Sequence, residues 1–407
     1  MTTADKLTYL ARAAEAELRE RILPFWMTRA VDEERGGFFG TIDADGRPDP
    51  NAGKGGVLNA RILWTFSAAL RRYPDGPYRA VADRAFAFVT GPLWDAEFGG
   101  LYWEVNPDGS MLKGRKQTYG QAFGIYGLAE YYRATGVPEA LDRAMRLFEL
   151  IETNAQDCRS GGYWEARGRD WQPIEDIRLS DRDMNAPFSM NTHLHLLEAY
   201  TCLAPASGEE RVRERLRGLI EITLDQIVDP ATGRLILFHD ERWRPMSAVV
   251  SPGHDIEASW LLCEAAHVLG DQALIARSER AAVRMAATVL EWGVDADCGG
   301  IYYEASGDHV DTDKHWWVQA EGVVGFLNAF ALSGEDRYLD AALGTWRFIE
   351  EHILDTAGGE WRMRVTSSGE PIPNLAMADF WKCPYHNARA MLEISQRTKA
   401  LAGRAPR

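Results

Sequence analysis

The sequence lacks most of the features that would send it to a membrane, a nucleic acid or an oxidising compartment. No apolar run approaches the length of a transmembrane helix, and the opening stretch MTTADKLTYLARAAEAELRE alternates charged and apolar residues at helical spacing. Neither a signal peptide nor a membrane anchor is expected there, and the expected location is the cytoplasm. Basic blocks are missing too. The formal charge is -15, with acidic residues spread along the chain, so neither nucleic acid nor an anionic membrane is an expected partner. There are only five cysteines, Cys158, Cys202, Cys263, Cys298 and Cys383, odd in number and scattered. They form neither a disulfide frame nor a zinc-binding set. A glycine-rich phosphate loop, a serine nucleophile elbow and the HExxH and CxxC patterns are all absent, which leaves cofactor chemistry without a seat.

What is present is a globular composition, 46% hydrophobic and 26% charged over 407 residues, and a repeat. A Gly-Gly-aromatic phrase recurs as GGFFGTIDADG from Gly36, GGLYWEVNPDG from Gly99, GGYWEARG from Gly161, GGIYYEASGD from Gly299 and GGEWRMRVTSSG from Gly358. The double-length interval between Gly161 and Gly299 holds a degenerate copy, TGRLILFHDERW from Thr232. Glycines in a tight turn followed by alternating aromatic and polar residues predict a short hairpin in each copy. Two amphipathic runs separate successive copies, with Ala, Leu and aromatics three and four residues apart, as in GVLNARILWTFSAALRRY followed by PYRAVADRAFAFVTGPLW. Six helix-helix-hairpin units of roughly 60 residues, with no flexible linker between them, predict an all-α fold closed on itself. That fold is an (α/α)6 barrel occupying residues 1–407 as one catalytic domain with short hairpins in its connections. Nothing in the pattern separates a monomer from a homodimer.

A barrel of this kind gathers the starts of its inner helices at one end, where unpaired N–H groups line a funnel. Functional residues are therefore expected in the first turns of the first helix of each pair. The unusual polar residues fall there: Arg61 in GGVLNARILW, Tyr119 in KQTYGQAFG, and Asn191, His193 and His195 in MNTHLHLLEAY. They continue with His254, Glu257 and Trp260 in SPGHDIEASWLL, Trp317 and Glu321 in KHWWVQAEGVVGF, and Trp381 and His386 in DFWKCPYHNARAMLEI. His254 and Glu257 are three apart and share a helical face, with Trp260 further along the same stripe. A carboxylate beside an imidazole fixes its tautomer and raises its basicity, as a general base requires. Two imidazoles from distant repeats, His254 and His386, suit removal of a proton from one face of a carbon and its return on the other. His193 and His195 lack a third ligand of fitting geometry, so no metal is expected. Fourteen tryptophans suit a sugar, whose pyranose ring presents flat C–H faces; Trp260, Trp317 and Trp381 are placed to meet one.

Taken in order, NTHLHLLEAY, GHDIEASWLL, WWVQAEGVVGFLNAF and KCPYHNARAMLEI resemble the N-acylglucosamine 2-epimerase superfamily, most closely its cellobiose 2-epimerase branch, over essentially the whole chain. The resemblance implies a cofactor-independent epimerase acting at C2 of the reducing-end glucose of a β-1,4-linked disaccharide. It implies His254 and His386 as acid/base residues working through a cis-enediolate after ring opening, with Arg61 and Tyr119 stabilising charge near O1 and O2. His195, with His193 as second choice, would touch substrate; Glu257 and Glu321 would orient the histidines or hold hydroxyls; Trp317 and Trp381 would stack on sugar. Pro252 stands where the disaccharide branch usually carries a tyrosine, beside the expected site. Mannose 2-epimerases and mannose isomerases share the same histidines and act on the monosaccharide. Two other classes are compatible with a helical barrel. A glycoside hydrolase would need two opposed carboxylates, Glu257 and Glu321 being the candidates, and a sugar-binding barrel would use the tryptophans without turnover.

Overall fold

The computed structural model describes residues 1–403, and its helices form two layers. Those of one layer are α1 (Thr3–Glu17), continued by a π turn at Leu18–Ile22 and by α2 (Leu23–Thr28), then α4 (Arg79–Thr90), α6 (Pro138–Asn154), α8 (Glu210–Ile222), α10 (Gln272–Trp292) and α12 (Asp336–Phe348). They are amphipathic. In α6, Ala140, Ala144, Leu147, Phe148 and Ile151 are buried, the i, i+4, i+7, i+8, i+11 stripe of a helix with one face on a core. Pro138 opens α6 at a position where the missing N–H costs nothing, and the Asp271 carboxylate caps α10 by accepting the amides of Ala273 and Leu274.

The second layer alternates with the first along the chain: α3 (Gly56–Arg72), α5 (Thr118–Thr135), α7 (Met190–Ser207), α9 (Pro252–Leu269), α11 (Trp316–Ser333) and α13 (Tyr385–Ala402). Their first three turns are buried almost all round, as their mixed small and apolar sequences require. Helix α3 packs on α5, α5 on α7, α7 on α9, α9 on α11 and α11 on α13, and α13 returns to touch α3. The first helix, α1, packs on α13 and α12. Several of these helices end on a glycine; at Gly270 φ is 80°, a conformation that stops the helix and that a side chain would strain.

The Gly-Gly phrases are turns of one design. The amides of Gly36, Gly99, Gly161, Gly233, Gly299 and Gly359 donate to the carbonyls of Asp32, Asp95, Asp157, Asp229, Asp295 and Asp355 respectively. The degenerate copy near Thr232 thus keeps the backbone while losing one glycine. Gly299 shows why a glycine stays at this point, with φ of 79°. The expectation of a self-contained hairpin in every copy is corrected. Only Glu104–Val105 with Met111–Lys113 and Glu304–Ser306 with His309–Asp311 pair within a copy beyond single bridges. Elsewhere two-residue strands pair with the next unit: Lys116–Gln117 with Ala166–Arg167, Phe188–Ser189 with Phe238–His239, and Lys314–His315 with Arg364–Val365. Strands this short gain their stability from what they join, and here they join neighbouring units.

Buried ion pairs fasten the turns to the helices that follow. Lys54, Lys116 and Lys314, each two residues before α3, α5 and α11, reach Asp32, Asp95 and Asp295 at 2.7, 2.9 and 3.0 Å. Removing one partner of such a pair leaves a buried charge and costs about 3–5 kcal/mol. The starts of the buried helices are accordingly the rigid end of the molecule. Among the described residues no helix is long and apolar enough to cross a membrane.

Candidate functional site

A common register organises the starts of the six buried helices. The fourth residue of α5, α7, α9 and α11 accepts the amide of the residue that follows each turn: Gln121 from Leu101 (2.7 Å), His193 from Tyr163 (3.0 Å), Asp255 from Leu235 (2.8 Å) and Gln319 from Ile301 (2.7 Å). Asn59 holds the corresponding place in α3. In α13 it is Asn387, which donates to the Glu360 carboxylate that accepts the amide of Trp361. Two residues beyond these latches stand Arg61, Phe123, His195, Glu257, Glu321 and Arg389. A helix turns roughly 200° over two residues, so the latch faces the turn and its second neighbour faces the middle of the ring of contacts.

His193 is therefore not a site residue. Its Nδ1 bonds the Ser189 carbonyl at 2.7 Å and its Nε2 accepts the Tyr163 amide, so both ring nitrogens serve the backbone. Burial pushes its imidazole down to about 4 and keeps it neutral, as that bonding requires.

Above the second rank lies a cavity of about 500 Å³. Arg61, Tyr119, Asn191, His195, His254, Glu257, Trp317, Trp381 and His386 all line it, brought together from α3, α5, α7, α9, α11, α13 and the segment before α13. Arg61 donates from Nη2 to the Tyr119 hydroxyl at 2.6 Å and from Nη1 to the Trp381 carbonyl at 3.3 Å, while its Nε and the Asn191 Oδ1 have no partner among the described residues. The guanidinium lies over the Phe123 and Tyr385 rings, at 4.2 and 4.6 Å. Donors held this way are preorganised for negative charge on a ligand oxygen.

Two imidazoles flank one indole. His254 lies 4.8 Å and His386 5.5 Å from Trp317, centroid to centroid, from α9 and α13 with α11 between them. Burial pushes His254 down to about 3, helped by nearby His195. Burial also holds His386 well below the usual histidine range, and the Arg61 and Arg389 charges add to it. Both rings are neutral at pH 7 and able to accept a proton. His386 Nδ1 bonds Glu321 Oε1 at 2.8 Å, and His254 Nδ1 bonds the Ser251 hydroxyl at 2.8 Å.

The expected pairing of Glu257 with His254 is thus corrected. The spacing does put both on one face, but Ser251 lies nearer the ring and Arg389 draws Glu257 away. Arg389 Nη2 donates to Glu257 Oε1 at 2.5 Å and to Glu321 Oε1 at 2.8 Å, and Nη1 pairs with Glu198. Glu198 in turn holds His195 Nδ1 at 2.9 Å and accepts the Tyr385 hydroxyl. One buried guanidinium so ties the supports of His195 and His386 together. Burial would raise Glu198, but Arg389, His195 and Tyr385 outweigh it and bring it down to about 2. Glu257 goes the other way, to about 7, through burial and the adjacent Glu321; burial raises Glu321 as well.

Trp260 is likewise no sugar platform. It is 1% exposed, lies outside the cavity and donates from Nε1 to Glu321 Oε2 at 3.0 Å, bracing the carboxylate behind His386. Glu321 too lies behind the wall and does not line the cavity. Pro252, at the start of α9, lies beside Gly293 and is not among the residues that line the cavity. Glu257, Glu321 and His386 bring ligand atoms within 4.8 Å of one another, close enough to hold a cation, and the guanidinium of Arg389 is the cation bonded there. The two carboxylates share one arginine nitrogen on the same side of the cavity, and do not oppose each other across it as glycoside hydrolysis requires.

Arg389, Glu198 and Tyr385 were not singled out from sequence. Aligning the six helices on their polar latches places Arg389 in the rank of Arg61, His195, Glu257 and Glu321, and that signal was available. The segment Leu179–Asp183, with Tyr303, Glu304 and His315, closes the opposite wall of the cavity. Leu179–Asp183 lies in the long connection before α7, as Asp379 and Trp381 lie in the one before α13.

The model of the N-acylglucosamine 2-epimerase family matches residues 37–390. A cellobiose 2-epimerase of Bacteroides fragilis is 46% identical over 387 residues, covering 95% of this chain and 98% of that protein. The solved structure of a cellobiose 2-epimerase from Spirochaeta thermophila superposes with a TM-score of 0.91 at 41% identity, over 98% of this chain and all of the other. A D-mannose isomerase of Thermobifida fusca is 26% identical, with 90% of each chain covered.

Proposed function

Because the chain belongs to the N-acylglucosamine 2-epimerase family, we propose that it epimerises C2 of the reducing-end glucose of β-1,4-linked disaccharides such as cellobiose. The order of helix contacts, α3 through α13 and back to α3, supports an (α/α)6 barrel forming a single catalytic domain. The observation that carries the activity is the pair His254 and His386, neutral imidazoles from different helices flanking Trp317 in one cavity.

After ring opening, Arg61 and Tyr119 hold O1 and O2 and offset the charge that develops there. A neutral imidazole takes the C2 proton on one face, leaving a cis-enediolate. The second imidazole protonates C2 on the other face from Nε2. His386 can do so without ever being imidazolium in the resting enzyme. Glu198, Glu257 and Glu321 share one guanidinium, and burial raises both Glu257 and Glu321, which favours a proton on that pair. As His386 gives up its Nε2 proton, Nδ1 takes one from Glu321. General acid–base catalysis of this kind supplies about 10²–10⁴-fold, and the donors around O1 and O2 supply the remainder. Return of the proton to C1 would yield a ketose.

Proton NMR in D2O, on cellobiose and mannose in parallel, tests the reading. The expected result is glucosyl-mannose from cellobiose with deuterium at C2. Turnover of mannose alone, to glucose or fructose, would transfer the assignment to the monosaccharide, and no exchange on either sugar would overturn it.

A further inference from the structure

His315 is the last residue before α11, and its backbone pairs with Arg364. Its ring lies flat on Tyr303, with centroids 3.7 Å apart and planes 11° from parallel. It is 8% exposed, lines the cavity, and its Nε2 is buried with no hydrogen-bond partner among the described residues. A buried polar atom left unbonded is destabilising, and native structures keep few of them. The other cavity histidines contrast with it. His195, His254 and His386 each have Nδ1 fixed by Glu198, Ser251 or Glu321. His315 is oriented by stacking alone; its Nε2 is shut inside the wall, and Nδ1, which has no hydrogen bond among the described residues, is the nitrogen left for a ligand.

A succession of rings leads to it from the imidazoles. His254 lies 4.8 Å from Trp317, Trp317 6.4 Å from Tyr303, and Tyr303 3.7 Å from His315. His315 thus stands two aromatic rings beyond the imidazoles, on the wall shared with Leu179–Asp183 and Glu304. A ligand atom there belongs to a sugar unit other than the one whose C2 reacts. Burial, with the charges of Arg364 and Arg182, keeps the ring neutral, so Nδ1 can donate to or accept from a hydroxyl according to the tautomer.

We propose that His315 hydrogen-bonds a hydroxyl of the distal sugar unit through Nδ1 and sets the preference of this site for a disaccharide over a monosaccharide. The inference rests on the sugar-epimerase reading above. His315→Phe keeps a flat ring over Tyr303 and removes both nitrogens; His315→Gln keeps a donor and an acceptor. KM for cellobiose should rise about tenfold in His315→Phe, the effect of one lost hydroxyl contact, with kcat within about twofold. His315→Gln should recover most of it, C2 exchange on mannose should not change, and the Phe variant should melt at the wild-type temperature or above, because an unbonded nitrogen is gone. An unchanged cellobiose KM, an equal loss on both sugars, or a fall in melting temperature with activity on both would overturn the proposal. Tryptophan-fluorescence titration of the three proteins with cellobiose and with glucose separates this inference from the activity reading. If the wild type turns over neither sugar, a selective loss of cellobiose binding in His315→Phe still supports the assignment, and equal binding refutes it.

Discussion

The starts of α9 and α13 present the same chemical group in different settings. His254 and His386 each stand one residue before a latch, yet His254 is backed by the neutral hydroxyl of Ser251 and His386 by the Glu321 carboxylate with Arg389 behind it. A hydroxyl can adapt to either tautomer, whereas a carboxylate pair holding a proton can also supply one. Two imidazoles alike in sequence context are thereby made unlike in what stands behind them. On the proposed reading each face of the carbon needs a base, and of the two imidazoles only His386 is backed by carboxylates that burial raises towards protonation.

The largest effect should come from removing either ring. His254→Ala and His386→Ala should each lower epimerisation by about 10³-fold or more. Each variant should still wash deuterium into C2 of one epimer, the one whose proton faces the surviving imidazole, and the two variants should do so with opposite epimers. Exchange with the same epimer in both would break the two-face picture. Next in size, Glu321→Gln should cost about 10²-fold in kcat and Ser251→Ala about tenfold or less. Equal losses, read from initial rates on cellobiose, would remove the asymmetry between the two starts. The smallest effect concerns the latches. Burial raises Asp255 from the usual carboxylate range to about 7, so its contribution to stability is present below about pH 4 and is lost as pH rises through 7. Asp255→Asn, which keeps a carbonyl oxygen able to accept the Leu235 amide, does not titrate. The melting temperature of the wild type minus that of the variant should therefore fall between pH 5 and pH 8.5, by about 1–2 °C in calorimetry.

The repeat made the architecture legible, because six turns with the same Asp-to-Gly backbone bond need glycine at the same point. The location of the site followed from it, since polar residues in the first turns of buried helices have few other uses. Partners were harder to read. Spacing shows that Glu257 shares a face with His254, but not that Arg389, 132 residues on, reaches it first. His193 and His195 look alike in NTHLHL, and only the register of hydrogen bonds shows that one serves the backbone and the other the cavity. Trp260 looked like a platform because indoles suit sugars; its donor N–H had a carboxylate to hold instead. Strand pairing between units was invisible because two-residue strands carry no periodicity.

The contact of α13 with both α1 and α3 has a consequence for synthesis. Of the described helices α13 is the last in sequence, and until it is made α1 lacks a neighbour it packs on, nearly four hundred residues away. A chain that stops short of α13 lacks His386 and with it part of the cavity lining. His386 and Arg389 arrive with the helix that touches both α11 and α3, so the cavity and the contact between the first and last of the buried helices are completed together.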